Sequence, residues 1–144
     1  MKKMALIFFI STAATLAQAR DDVLMLPLAD AVQLGLEQGK LDGSVKFYLS
    51  GAAIPGSSER LEDGESNRKT NSVGKSDTEA CHWAALSALM AFETSARQRG
   101  ANAVVDLHSF YKRKPVKDPV NYECHAGNIM AGVSLKGTYA RTGK

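Results

Sequence analysis

The stretch SDTEACHWAALSALMAFETSARQRG, Ser76 to Gly100, runs straight into ANAVVDLHSFY, Ala101 to Tyr111, and these 36 residues decide the fold. Ser76 and Glu79 have the spacing of a capping box. The serine hydroxyl accepts from the free N–H of Glu79, and the glutamate carboxylate reaches back to the Ser76 N–H. Asp77 and Glu79 also suit the positive end of the helix dipole. Gly100 takes a left-handed conformation at no side-chain cost and predicts the stop. Within the helix, Cys81, Ala84, Ala85, Ala88, Phe92 and Ala96 share one face, with Leu89 at its edge. All of that face except Phe92 is small, so a sheet can approach closely. The next residues alternate, Val105, Leu107 and Ser109 against Val104, Asp106, His108 and Phe110, as a strand does.

Outward from this unit the same patterns recur. IMAGVSLKGTY predicts a strand with Ile129, Ala131, Val133 and Leu135 on one face, and SVKFYLSG one with Val45, Phe47 and Leu49. Leu28, Ala31, Val32 and Leu36 have helical spacing and Gly39 suits the end, giving a short amphipathic helix. Gly51 to Lys75 is polar and rich in turn residues, and is read either as a charge-mixed hairpin around Asp63-Gly64 or as a solvated loop. The expected fold class is α+β, with one long helix packed on a small antiparallel or mixed sheet and a short N-terminal helix.

The chain opens with MKKMALIFFISTAATLAQAR. Lys2 and Lys3, a short apolar run and Ala17-Gln18-Ala19 form the pattern a signal peptidase accepts, so residues 1–19 are expected to be a signal peptide cleaved after Ala19. Met4 to Leu16 falls short of the roughly 20 apolar residues of a spanning helix. The expected product is a single domain, residues 20–144, exported to the periplasm with no transmembrane anchor. Loss of the two lysines lowers 18 basic groups to 16 against 15 acidic ones, leaving a net charge of +1. Such a balance carries no sign of a general nucleic-acid binder, and nucleic acid is not an expected partner. Two cysteines, Cys81 and Cys124, remain for an oxidising compartment, where a disulfide is the default.

Gly74-Lys75-Ser76 would close a phosphate loop, but the first glycine should then stand at position 69, which is a lysine. No apolar strand precedes it, and Ser76 is committed to the cap. No nucleotide or other cofactor is expected. The pairs Cys81-His82 and Cys124-His125 look superficially like a Cys2His2 metal set. Helix neighbours diverge by about 100° and strand neighbours point oppositely, and a disulfide consumes the thiolates a metal needs. A weaker metal reading keeps His82, His125 and Glu123. Asp106 and His108 share a strand face while Ser109 points away, and the sharp serine elbow of hydrolases is absent, so no residue is assigned as catalytic. Lys112, Arg113, Lys114 and Lys117 form the one strong charge cluster and could attract anionic groups beside Phe110 and Tyr111. A basic, proline-bearing loop is also an ordinary solvated turn. Trp83 is read as partly packed.

The motif "RQRGANAVVDLHSF", in which a long helix closes on Gly-Ala-Asn-Ala-Val-Val and enters a strand, resembles the small RcsF-like and YbjQ-like domains over Thr78 to about Tyr139. That resemblance implies a helix-on-sheet domain and, on the RcsF side, envelope stress sensing. The chain departs from RcsF in having no lipobox cysteine and two cysteines in place of two disulfides. Through "KLDGSVKFYLSG" and "NYECHAGNIMAGVSLKGTYA" it is also similar to small exported bacterial proteins labelled excinuclease ATPase subunit. The incomplete phosphate loop and the export signal oppose that label, which we read as a misnomer. The expectation is a non-enzymatic periplasmic domain that binds an envelope protein or an anionic envelope component. A metal-binding periplasmic protein is the alternative, and a DNA-repair ATPase the least favoured reading.

Overall fold

A 22-residue helix, Asp77–Gln98, forms where the cap and the glycine predict it, in a computed structural model that describes residues 20–143. The expected signal peptide lies outside the described residues. In chain order the elements are β1 (Asp22–Pro27), α1 (Leu28–Glu37), β2 (Lys46–Leu49), β3 (Ser58–Asn71), α2 (Asp77–Gln98), β4 (Ala103–Ser109), a single 3₁₀ turn at Tyr111–Arg113, β5 (Asn121–Ala126) and β6 (Met130–Thr142). Ser76 Oγ accepts from Glu79 N at 3.1 Å, which is half of the capping box. Gly100 sits at φ +65°, and the N–H groups of Arg99, Gly100 and Ala101 close the helix end on Ala96 and Arg97. The helix therefore stops for the reason its sequence gives.

The six strands form one mixed sheet built around β6. Along one edge β6 pairs antiparallel with β3, from Ser58↔Thr142 to Asn71↔Met130. Its other edge is shared, first by β4 (Ala103↔Ala140 to Ser109↔Leu135) and then by β5 (His125↔Gly132, Ala126↔Ala131). β1 adds antiparallel to β5, and β2 adds parallel to β4. The two helices cover one face of this curled sheet, which makes the molecule the α+β domain that the sequence predicts.

Between helix and sheet the small-residue face does what its size allows. Ala80, Cys81, Ala84, Ala85, Ala88 and Ala96 are fully buried, and Phe92, Leu86, Leu89, Leu107, Leu135 and Tyr122 fill the space beside them. Cys81 and Cys124 are disulfide-bonded, with 43 residues of sequence separation, and tie the start of α2 to β5. Gly137 is needed where β4 crosses β6. A Cβ there would lie 2.7 Å from Val104 Cγ1 and 3.1 Å from Leu107 Cδ1.

Four expectations are corrected. The segment from 58 to 71 is neither a hairpin at Asp63-Gly64 nor a solvated loop, because it is one long edge strand held by its backbone ladder with β6. Residues 22–27 form β1, a strand the sequence reading did not assign. Leu36 and Ile129 are exposed, at 45% and 65%, so the first apolar stripe ends one step earlier, and the second begins one step later, than its spacing implies. In β4 the strict alternation fails at Asp106, whose φ is +50°. The register shifts there between Val105 and His108, so Val104 and Leu107 both join the helix-side core while Val105 packs with Ala103 and Ala140 on the other side. The short α1 buries Leu28, Ala31 and Gly35.

Candidate functional site

The face of the sheet turned away from the helices carries the polar chemistry. Pairing across β6 fixes who stands there. Residues directly opposite in an antiparallel ladder share a face, so Lys69, Asn67, Glu65 and Asp63 of β3 accompany Gly132, Ser134, Lys136 and Thr138 of β6. The chain from Phe110 to Lys117 runs over this face and divides it into two hollows. One is lined by Lys69, Tyr111, His125, Gly127, Met130 and Gly132, together with Arg20 and Asp21. The other, a cleft of 320 Å³, is lined by Arg60, Asp63, Asp106, His108, Lys117 and Lys136, with Phe110, Pro115, Gly137 and Thr138 completing its wall.

In the cleft each carboxylate has one oxygen engaged by near neighbours. Asp106 accepts a short hydrogen bond from Ser50 Oγ and lies 3.5 Å from Lys117 Nζ. The Ser50 bond, then the Lys117 charge against some burial, holds its carboxyl below the ordinary aspartate range. Asp63 accepts from Thr138 Oγ1 at 2.7 Å. His108 is 8% exposed, and its Nδ1 lies 2.7 Å from the Asp106 carbonyl oxygen. A carbonyl only accepts, so Nδ1 carries the hydrogen and Nε2 is left as the free ring nitrogen. The left-handed backbone at Asp106 bends the strand so that one residue supplies a carboxylate to Ser50 and Lys117 and a carbonyl to His108.

The cations are in the opposite condition. Among the described residues, Arg60, Lys112, Arg113, Lys114 and Lys136 have no carboxylate within 4.0 Å. Lys136 Nζ and the Arg113 guanidinium stand 4.9 and 5.7 Å from the Phe110 ring centre, and Lys112 Nζ 5.6 Å from that of Tyr111. Lys112 and Arg113 both have positive φ, 52° and 61°, which turns the loop tightly enough to bring Val116 back to Ser109. Of the four loop cations singled out in the sequence, Lys117 lines the cleft, Arg113 flanks it through Phe110, Lys112 leans toward the other hollow, and Lys114 is simply exposed. Arg60 and Lys136 were missed. They stand in a strand read as a loop and in a strand read for its apolar face, and no local pattern marks them.

The weak metal set does not assemble. His125 and Glu123 are together on the outer face, Nε2 to Oε1 2.5 Å, with Asp21 Oδ1 2.9 Å from Nδ1 and the Tyr111 ring stacked at 3.5 Å. His82 is on the helix side, where its Nδ1 lies 2.8 Å from the hydroxyl of buried Tyr122 and its Nε2 3.9 Å from Asp30. The β5 alternation separates them, since Tyr122, Cys124 and Ala126 face the helix while Glu123 and His125 face away. Burial holds the His82 imidazolium below its ordinary range, against the pull of Asp30, and burial raises the Tyr122 phenol. Trp83 is half-buried against the core. Gly74-Lys75-Ser76 lie in the short turn between β3 and α2, with Gly74 at φ +77°, but the position of the first phosphate-loop glycine is Lys69 inside β3, and β3 is a largely exposed edge strand rather than a buried one.

Among the described residues no helix is long and apolar enough to cross a membrane. No family model, curated protein or solved structure matches the chain.

Proposed function

We propose that this chain is an exported, non-enzymatic binding domain that engages an anionic component of the cell envelope on the outer face of its sheet. The observation that carries the reading is the imbalance of that face. Its cleft carboxylates Asp63 and Asp106 are already served by Thr138, Ser50 and Lys117, while Arg60, Lys136 and the cations at 112–114 have no acidic partner among the described residues. Unpaired cations beside a concave surface attract and hold negative charge. The other side of the sheet is given over to packing and a disulfide, which supplies a rigid support. The sequence resemblance to RcsF-like domains supports a role in envelope stress sensing, and the periplasm is the compartment that suits an N-terminal export pattern together with a disulfide.

The test is photo-cross-linking in living cells from positions 112 and 117. The reading expects a reproducible envelope adduct that disappears when Arg60 and Lys136 are both reversed to glutamate. An absence of adducts, together with unchanged fitness of the reversed variant, removes it. The metal alternative has a separate check, native mass spectrometry of the oxidised protein with zinc or copper, in which a stoichiometric adduct lost in His125→Ala would restore it.

A further inference from the structure

We infer that the ligand recognised in the 320 Å³ cleft is a phosphate ester of a polyol, such as a sugar phosphate or glycerol phosphate, rather than a bare inorganic anion such as sulfate. This rests on the anion-binding reading above and deepens it. The reason is the mixture of donors and acceptors. Arg60, Lys117 and Lys136 donate, and a guanidinium with two ammonium groups suits a phosphate group. A site for a bare anion, however, should present donors alone, and this cleft is also lined by the carboxylates of Asp63 and Asp106.

Ser50 and Lys117 both address Asp106 Oδ1, and Thr138 addresses Asp63 Oδ1, so each of these aspartates keeps its Oδ2 for another donor. A hydroxyl is the neutral donor that two acidic residues accept without a charge penalty. Inorganic sulfate has no hydroxyl to give, and its oxygens would meet two carboxylates as like charge. Phosphate on the cations and polyol hydroxyls on Asp63 and Asp106 together satisfy these groups. The cleft volume accommodates one such unit.

The experiment is an NMR titration of the purified protein, following the His108 ring nitrogens and the Lys136 and Arg60 side chains. The probes are glycerol 3-phosphate, sodium sulfate and glycerol at matched ionic strength. Saturable shifts at those three residues with glycerol 3-phosphate, at least tenfold tighter than with sulfate and absent with glycerol, are expected. Arg60→Ala and Lys136→Ala should each weaken glycerol 3-phosphate several-fold, and Asp63→Ala should bring glycerol 3-phosphate and sulfate to within about threefold of each other. If Asp63→Ala melts early, Asp63→Asn reads the same ratio. Vesicles containing phosphatidylglycerol, whose headgroup carries free hydroxyls, against vesicles containing phosphatidic acid, which has none, decide whether a lipid supplies the group. Equal affinity for sulfate and glycerol 3-phosphate, or shifts confined to the 112–114 loop, overturns the inference. In that case in-cell adducts from positions 112 and 117 would leave the broader anion reading standing, and their absence would remove both.

Discussion

Cys81-His82 and Cys124-His125 are the same dipeptide set once on a helix and once on a strand, and the fold treats the sulfurs alike and the histidines differently. Both sulfurs are fully buried and joined. His82 stays on the packed side of the sheet, bonded to a phenol, while His125 is carried to the outer side between two carboxylates and under Tyr111. The difference teaches that the repeated letters mark one covalent staple, not one site. The packed face holds the structure, and the outer face is where charge is left unmatched.

The comparison breaks most visibly at the staple. Replacing both cysteines with alanine should lower stability by about 4 kcal/mol, the chain-entropy expectation for a loop of this size, read from urea melts of the oxidised protein and the double variant. A loss well under 1 kcal/mol would mean that the staple does not organise the packed face. Next in size is Gly137→Val. Its added atoms would meet Val104 and Leu107 across β4 and should cost about 1–3 kcal/mol by overpacking, in the same melts. An equally large residue at Gly74, where a Cβ would meet nothing within 4 Å, would have to be compared only after allowing for its positive φ.

Smaller effects separate the two histidines. Tyr122→Phe removes the hydroxyl that His82 meets and should cost on the order of 1 kcal/mol. His82 also gives a pH signature. Its folded pKa is lowered by burial from 6.5, so below that value the unfolded chain binds the proton more readily than the native one. Stability should therefore fall as pH drops from about 7 through 6.5 toward the depressed folded value, and it should flatten below that. His82→Gln should abolish this segment of the denaturation-midpoint profile, and an unchanged profile would show that another group titrates there.

How far the sequence could be read follows the same division between faces. The staple, the helix with its cap and stop, and the small-residue face are local signals, and the structure repeats them nearly residue for residue. β3 was illegible because an edge strand gains its place from twelve rungs of backbone pairing with β6, and SERLEDGESNRKTN has no apolar face to advertise it. β1 was hidden differently. Val23 and Met25 are exposed while Leu24 and Leu26 pack inward, so an all-apolar run gives no alternation to detect. The cleft was only half visible. Lys117 and the loop cations stand out as a cluster, whereas Arg60, Lys136 and the two hydroxyls that occupy its acids come from β3, β6 and the turn after β2, segments distant in sequence. The bulge at Asp106, which fixes the His108 tautomer, has no glycine to announce it.

The measurement that bears most directly on the account is the affinity of glycerol 3-phosphate for two double charge reversals that alter net charge equally. Arg60→Glu with Lys136→Glu changes the cleft, and Arg68→Glu with Lys75→Glu changes exposed cations outside it. The account predicts that the first pair loses binding by at least tenfold while the second stays within about twofold of the parent at equal salt. Equal losses in both would show that the outer face acts through bulk charge alone, and would contradict a built site.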